Sequence, residues 1–292
     1  MNFQVHRPQG YIGTGDKSLP KIIRDLEQNL IKAQDFFAYE TLCLTNSKLE
    51  ELACVLVEFI EDIHNDIGIW KCYERYNFEF FKTPLPLTLQ PNTEIEEKEQ
   101  LKYRVQQLLY VLYPELIPGL ILSPSHKDLI FLADYIFKFL EQQFSQVPQG
   151  SGIKTFLSQT NKYGWDVKRK LIWLGQHSYF FRHSFQNYVI KEHGGKMEIP
   201  IIDDFICQEN TCWSGLGIID ILAAVLDINE SRRQELRSWY ERHIGYYKVI
   251  AVKGPIIEMI NIINDQPYKV RVGWDNSSRF KVQQIVFGSL VP

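Results

Sequence analysis

The chain has 292 residues, 45% hydrophobic and 13% aromatic, with a formal net charge of −3. Such an apolar share supports a sizeable buried core and excludes a disordered chain, while the length allows one large domain or two. The charge balance excludes a chain built uniformly to coat nucleic acid.

Five cysteines, Cys43, Cys54, Cys72, Cys207 and Cys212, are odd in number and sparse. That usage points to reduced thiols in a cytoplasmic protein, not a disulfide framework. The opening MNFQVHRPQGYIGTGDKSLP has no continuous apolar run of the secretory kind. The most apolar stretch, 108–122, is interrupted by Pro114, Glu115 and Pro118, so no bilayer-spanning segment and no membrane partner are expected.

Helix signals dominate from residue 20 to about 245. Ser47 with Glu50 forms a capping-box pattern that opens an amphipathic run to about Asp66, ahead of Gly68. The three prolines of 83-TPLPLTLQP-91 forbid a regular helix and indicate a linker or a packed extended segment. Thr93 with Glu96 opens the next helix, carried by Leu101, Val105, Leu108, Leu109 and Leu112 and ended by Pro114. Ser125 with Asp128 repeats the device ahead of 129-LIFLADYIFKFL-140. The segment 145-SQVPQGSGIK-154 reads as a loop and a candidate subdomain hinge. One long helix is predicted from Asp166 to His193, stopped by Gly194-Gly195. Ser214 caps 215-GLGIIDILAAVLDI-228, and 231-SRRQELRSWYERH-243 forms the last helix, ended by Gly245.

Beyond Gly245 the period changes from helical to alternating. Turn signals at Lys253-Gly254-Pro255, Asn264-Asp265-Gln266-Pro267 and Asp275-Asn276-Ser277-Ser278 divide the remainder into four short strands. The expected fold is therefore mainly α with a small β module (α+β): a helical domain over 1–245, then an SH3-like antiparallel barrel or sheet over 246–292. Because the sequence stops at Leu290-Val291-Pro292 directly after a strand, the barrel-like module is expected to be truncated there, with chain continuing past Pro292.

Between Lys162 and Lys196 seven Lys/Arg face two Asp/Glu, whereas Met197 to Glu230 holds seven acids and no Lys or Arg. Blocks of opposite sign most simply satisfy each other across a helix–helix interface. The stretch 173-WLGQHSYFFRHSFQNY-188 sets polar groups among aromatic rings. Its simplest reading is a buried polar network of His177, Arg182 and His183, with Asp220, alone in an apolar helix, as a partner.

Other chemistry is thinly represented. Cys207 and Cys212 with His193 or Asp204 lack the second short-spaced pair that structural zinc normally needs, so no metal is expected. The Gly13–Gly15 GTG follows no apolar strand, and no P-loop, G-x-S-x-G or H-E-x-x-H pattern occurs. No cofactor is expected. Lys162, Lys168, Arg169 and Lys170 interleave with Tyr163, Trp165 and Trp173, a combination that can neutralise phosphates and stack on bases. In the β module Lys248, Lys253, Lys269, Arg271, Arg279 and Lys281 outnumber Glu258, Asp265 and Asp275.

Finally, 237-RSWYERH-243 resembles the R-x₄₋₆-H motif of HEPN-type ribonucleases, although Ser238 stands where that family usually has Asn, His or Asp. The resemblance implies His243 as acid/base and Arg237 steadying phosphate charge. The leading expectation is a non-enzymatic interaction module whose partner is a protein or RNA. The alternatives are a nucleic-acid-binding protein and a metal-independent ribonuclease.

Overall fold

The structure is a computed structural model that describes residues 3–89, 96–159, 164–210, 214–272 and 274–292. After a 3-10 turn over Phe3–His6 comes α1 (Leu19–Gln34), whose Leu19, Ile22, Ile23, Leu26 and Leu30 share one buried face. It packs on α2 (Asn46–Asn65). From Glu51 to Asp62 every residue of α2 is buried, with Asp66 in the left-handed conformation (φ 49°) closing its end. The start lies two residues before the predicted Ser47: Thr45 holds the cap position, without a side-chain capping bond.

Around this central helix stand α3 (Ile69–Phe81), α4 (Glu97–Leu116), α5 (Lys127–Phe144) and α6 (Gly152–Ser158). Pro114 does not end α4, which runs to Leu116 with the proline inside. A proline so near the C-terminus removes a single ladder bond, and the helix tolerates it there. The proline-rich segment 83–89 is packed as expected: Leu85 is fully buried, and Gln107 Oε1 accepts from the Leu87 N–H at 3.1 Å. Thr93 lies outside the described residues.

The 145–154 segment, read from sequence as a hinge, is pinned from both sides. The Gly15 N–H donates to the Gly150 carbonyl at 3.0 Å, Thr14 Oγ1 to the Gln149 carbonyl at 2.7 Å, and the Gly150 N–H to Asn65 Oδ1 at 2.8 Å. The approach is so close that a Cβ on Gly13 would stand 2.1 Å from the Gly150 carbonyl oxygen.

The predicted long helix over 166–193 is two helices, α7 (Gly164–His177) and α8 (Arg182–His193). The break lets the successive rings of Tyr179, Phe180 and Phe181 all be buried, the first two against Phe59, Trp70 and Tyr73. A continuous helix would fan them over some 200° of its circumference. Ser178 Oγ donates back to the Leu174 carbonyl, a local bond that competes with helix continuation. Next come α9 (Ile199–Gln208), α10 (Ile218–Val225) and α11 (Glu230–Arg237). One apolar core runs from Phe3 to Leu236 and contains residues from either side of 145–154.

The last helix ends at Arg237, not at Gly245: a 3-10 turn over Ser238–Glu241 follows, and His243 opens a strand. Strands β1 (His243–Lys253), β2 (Ile256–Asn261) and β3 (Pro267–Arg271), the short α12 (Trp274–Ser277) and β4 (Ile285–Leu290) complete the chain. The sheet order is β3-β2-β1-β4, every pair antiparallel. Of the two forms expected, barrel or sheet, the described residues form the open sheet: β3 and β4 are both edges. Four strands, three of them five or six residues long, are too few to wrap round a filled interior. Tyr247, Val249, Ile257 and Met259 form a second, separate core on one face. No helix among the described residues is long and apolar enough to cross a membrane.

Candidate functional site

A helix that is buried on every side has no solvent face, so any charge it carries is buried with it. Glu51, Glu58, Glu61 and Asp62 of α2 are all in that position, and each needs a partner. Glu58 Oε1 lies 2.9 Å from His6 Nδ1, and its Oε2 accepts from Arg182 Nη1 at 2.7 Å. Glu61 accepts from Arg7 Nη1 at 2.8 Å and from Ser151 Oγ at 2.5 Å. Glu51 lies 2.9 Å from His183 Nδ1 and accepts from Lys48 Nζ at 3.0 Å. Asp62 takes the N–H groups of Gly68, Ile69 and Trp70 at 2.7, 3.2 and 2.7 Å, and the Tyr179 hydroxyl at 2.7 Å. It thereby supplies acceptors to the first turn of α3, whose N–H groups have no helical partner.

Burial opposes charge on Glu58, but Arg182 and His6 outweigh it and hold the carboxyl at about 2. Burial likewise opposes Glu51, and His183 with Lys48 brings it to about 2. His177 is lowered by burial and by the neighbouring His6 and Arg182, against Glu58. With Glu58, Asp62, Trp173 and Tyr179 it lines a cavity with room for about one water molecule. A space of that size admits no substrate. The arrangement is an internal brace that ties the N-terminal segment, α2 and the α7–α8 break together.

The residues predicted from sequence separate into several places. Arg182 and His183 lie in the brace, paired with Glu58 and Glu51. Asp220 is half-buried elsewhere: it accepts from the Tyr240 hydroxyl at 2.8 Å and lies 3.3 Å from Arg237 Nε. Arg237 and His243 do not share a helix. Arg237 turns to Asp220, and the His243 ring stands 5.6 Å from that of Tyr268 in the sheet.

The basic run of α7 is largely occupied. Lys168 meets Asp203 at 2.5 Å, as the opposed charge blocks suggested, and Arg169 lies 3.7 Å from Asp166. Lys170 is buried, its ammonium donating to the Leu157 and Gln159 carbonyls at 2.8 and 2.6 Å, and burial lowers it to about 8. Trp173 is buried, while Trp165 is 55% exposed. Lys162, Tyr163 and Cys212 lie outside the described residues. Among the described residues no group of three or more His, Cys, Asp or Glu is placed to hold a metal ion.

The sheet has a different character. Tyr247 and Val249 point into the small core, so Ile244, Tyr246 and Lys248 point to the opposite face. There Tyr246 pairs across the ladder with Phe287, ring centroids 4.9 Å apart, and Lys248 pairs with Ile285. Tyr246 and Phe287 are 50% and 53% exposed, and Ile244 and Ile285 are exposed beside them. Two strands from β1, Lys269 and Arg271 of β3 project to the same side, opposite Glu258 and Ile256. Glu258 also holds Lys253 at 2.8 Å. Sequence reasoning noted the lysines and arginines of this module but not the rings. The available signal was an alternating strand whose outward positions, Ile244 and Tyr246, are apolar where a solvated face is ordinarily polar.

The family described as "Protein of unknown function (DUF3843)" matches residues 38–209, more than half of the chain. No curated protein and no solved structure matches it.

Proposed function

The chain belongs to the DUF3843 family, a membership that indicates no role, and we propose that it is a non-enzymatic interaction protein which docks a macromolecular partner on the outer face of its C-terminal sheet. The observation that carries this reading is the Tyr246–Phe287 ring pair, half exposed on the outer face of the sheet with Ile244 and Ile285 exposed beside it. An uncovered cluster of large apolar side chains in water is unfavourable unless a partner buries it. The titratable groups of the helical part point the same way. The carboxylates and cations of α2 and α8 are spent on one another inside the core, around a cavity too small for a substrate. The basic run of α7 supports docking less well, because Lys168 is paired and Lys170 is buried.

The test is a photoreactive aromatic amino acid in place of Phe287, in the full chain inside the cells that make it, with the same substitution at Ile190, exposed on α8, as reference. The expected result is a defined adduct from position 287 and none from 190. Illumination that yields no adduct at 287 removes the docking reading.

A further inference from the structure

We infer that the partner on this sheet face is a single-stranded nucleic acid, an inference that rests on the docking reading above. Three features of the face converge. First, Tyr246 and Phe287 present exposed ring surface side by side on neighbouring strands, rings 4.9 Å apart. Aromatic side chains on a sheet are a stacking platform for unpaired bases, and every base has a face that stacks.

Second, cations share the face with the rings. Lys248 follows Tyr246 by two residues on β1, while Lys269 and Arg271 lie two strands across and in register with Ala251 and Lys253, five and seven residues further along. That places one cation beside the platform and two more roughly 15–25 Å along the same face, on the path that the phosphates of a strand crossing the sheet would take. Third, opposing charge on the face is already engaged. Glu258 accepts from Lys253 at 2.8 Å and stands across from Lys269. Among the described residues neither Lys248 nor Arg271 has an ion-pair partner.

A protein partner bound through apolar contact alone would use Ile244, Ile285 and the rings and leave the cations idle. A duplex would bring its charges without exposing base faces to the rings. An unpaired strand uses rings and cations together.

The experiment is fluorescence anisotropy of the intact chain with labelled mixed-sequence 12-mers, one of RNA and one of DNA, titrated with salt from about 50 mM upward. Binding of at least one strand is expected, weakening steeply as salt rises, and the better of the two identifies the sugar that is read. Phe287→Leu keeps the apolar bulk but removes the ring face, and should weaken binding about 5- to 100-fold. Arg271→Gln should weaken it and reduce the slope of log K against log salt by about 0.7, the single-strand increment for one phosphate.

No binding of either strand at about 50 mM salt overturns the inference. So does binding that both variants leave unchanged, because the strand would then sit elsewhere. A protein adduct at position 287 together with no oligonucleotide binding leaves the docking reading standing and removes the nucleic acid. A chain that forms no adduct and binds no strand removes both.

Discussion

Arg182 shows how strongly context sets the role of one side chain. It is 1% exposed, and its Nη1 meets both Glu58 and the His177 carbonyl. Removing one partner of a buried ion pair leaves the other charged and unpaired, which costs about 3–5 kcal/mol. Arg182→Met should therefore lower stability by that amount in denaturant titration. Asp220→Ala should cost only about 1 kcal/mol, since its pair with Arg237 is partly exposed and its contact with Tyr240 is one hydrogen bond. Equal losses at the two positions would contradict the assignment of the brace.

The same residues set the acid limit. Glu58 and Glu51 are held at about 2 in the folded chain against an ordinary 4.5. Their contribution is complete above about pH 4.5 and disappears as pH falls towards about 2. For Glu58 this amounts to roughly 3 kcal/mol. His177, held below its ordinary value, acts in the same sense, favouring the fold above its unfolded value and less as pH drops through it. Stability should thus fall most steeply between about pH 4.5 and 2. Glu58→Gln should start lower and fall less across that window, as read by urea unfolding at a series of pH values.

Sequence reasoning looked for partners of Arg182 and the histidines in the acidic block nearby in the chain, with Asp220 the candidate. Arg182 instead meets Glu58, 124 residues away. A carboxylate such as Glu58 looks like an ordinary surface charge until its helix is seen to be buried all round.

At the scale of elements, what governs legibility is whether the determinant is local. Helix α2 announces itself through unbroken apolar spacing, and the strands after Gly245 through alternation and turn residues. The break at 178–181 does not, because it answers to distant rings, Phe59, Trp70 and Tyr73, that pack on Tyr179 and Phe180. The docking of 13–16 against 149–152 is equally non-local. There a segment that reads as a loop and candidate hinge is hydrogen-bonded to Gly15, Thr14 and Asn65. Gly13→Ala tests that contact. Its Cβ would meet the backbone of Gly150 at 2.1 Å, which neither segment can yield without moving apart. We expect a loss of about 1–3 kcal/mol and faster amide exchange at Gly15 and Gly150. A variant with unchanged exchange at those amides would show that the contact does not hold the segment.

On the scale of the whole molecule, the two cores differ greatly in size. The helical core gathers apolar side chains from Phe3 to Leu236, while the sheet centres on Tyr247, Val249, Ile257 and Met259. Stability grows with the surface a unit can bury, so the small core protects its backbone less than the large one. Among the described residues both sheet edges lack a further strand, which removes protection from β3 and β4. Native-state hydrogen exchange should accordingly place β1 and β2 amides well below those of α2 in opening free energy, with β3 and β4 lowest. Arg182→Met should lower protection in α2 and α8 but leave β1 little changed, because the brace and the sheet share no side chain. If β1 instead exchanged in step with α2, and weakened with it in the variant, the sheet would have to be drawing its stability from the helical core. The outer face would then be a surface of one cooperative unit and not of an appended module.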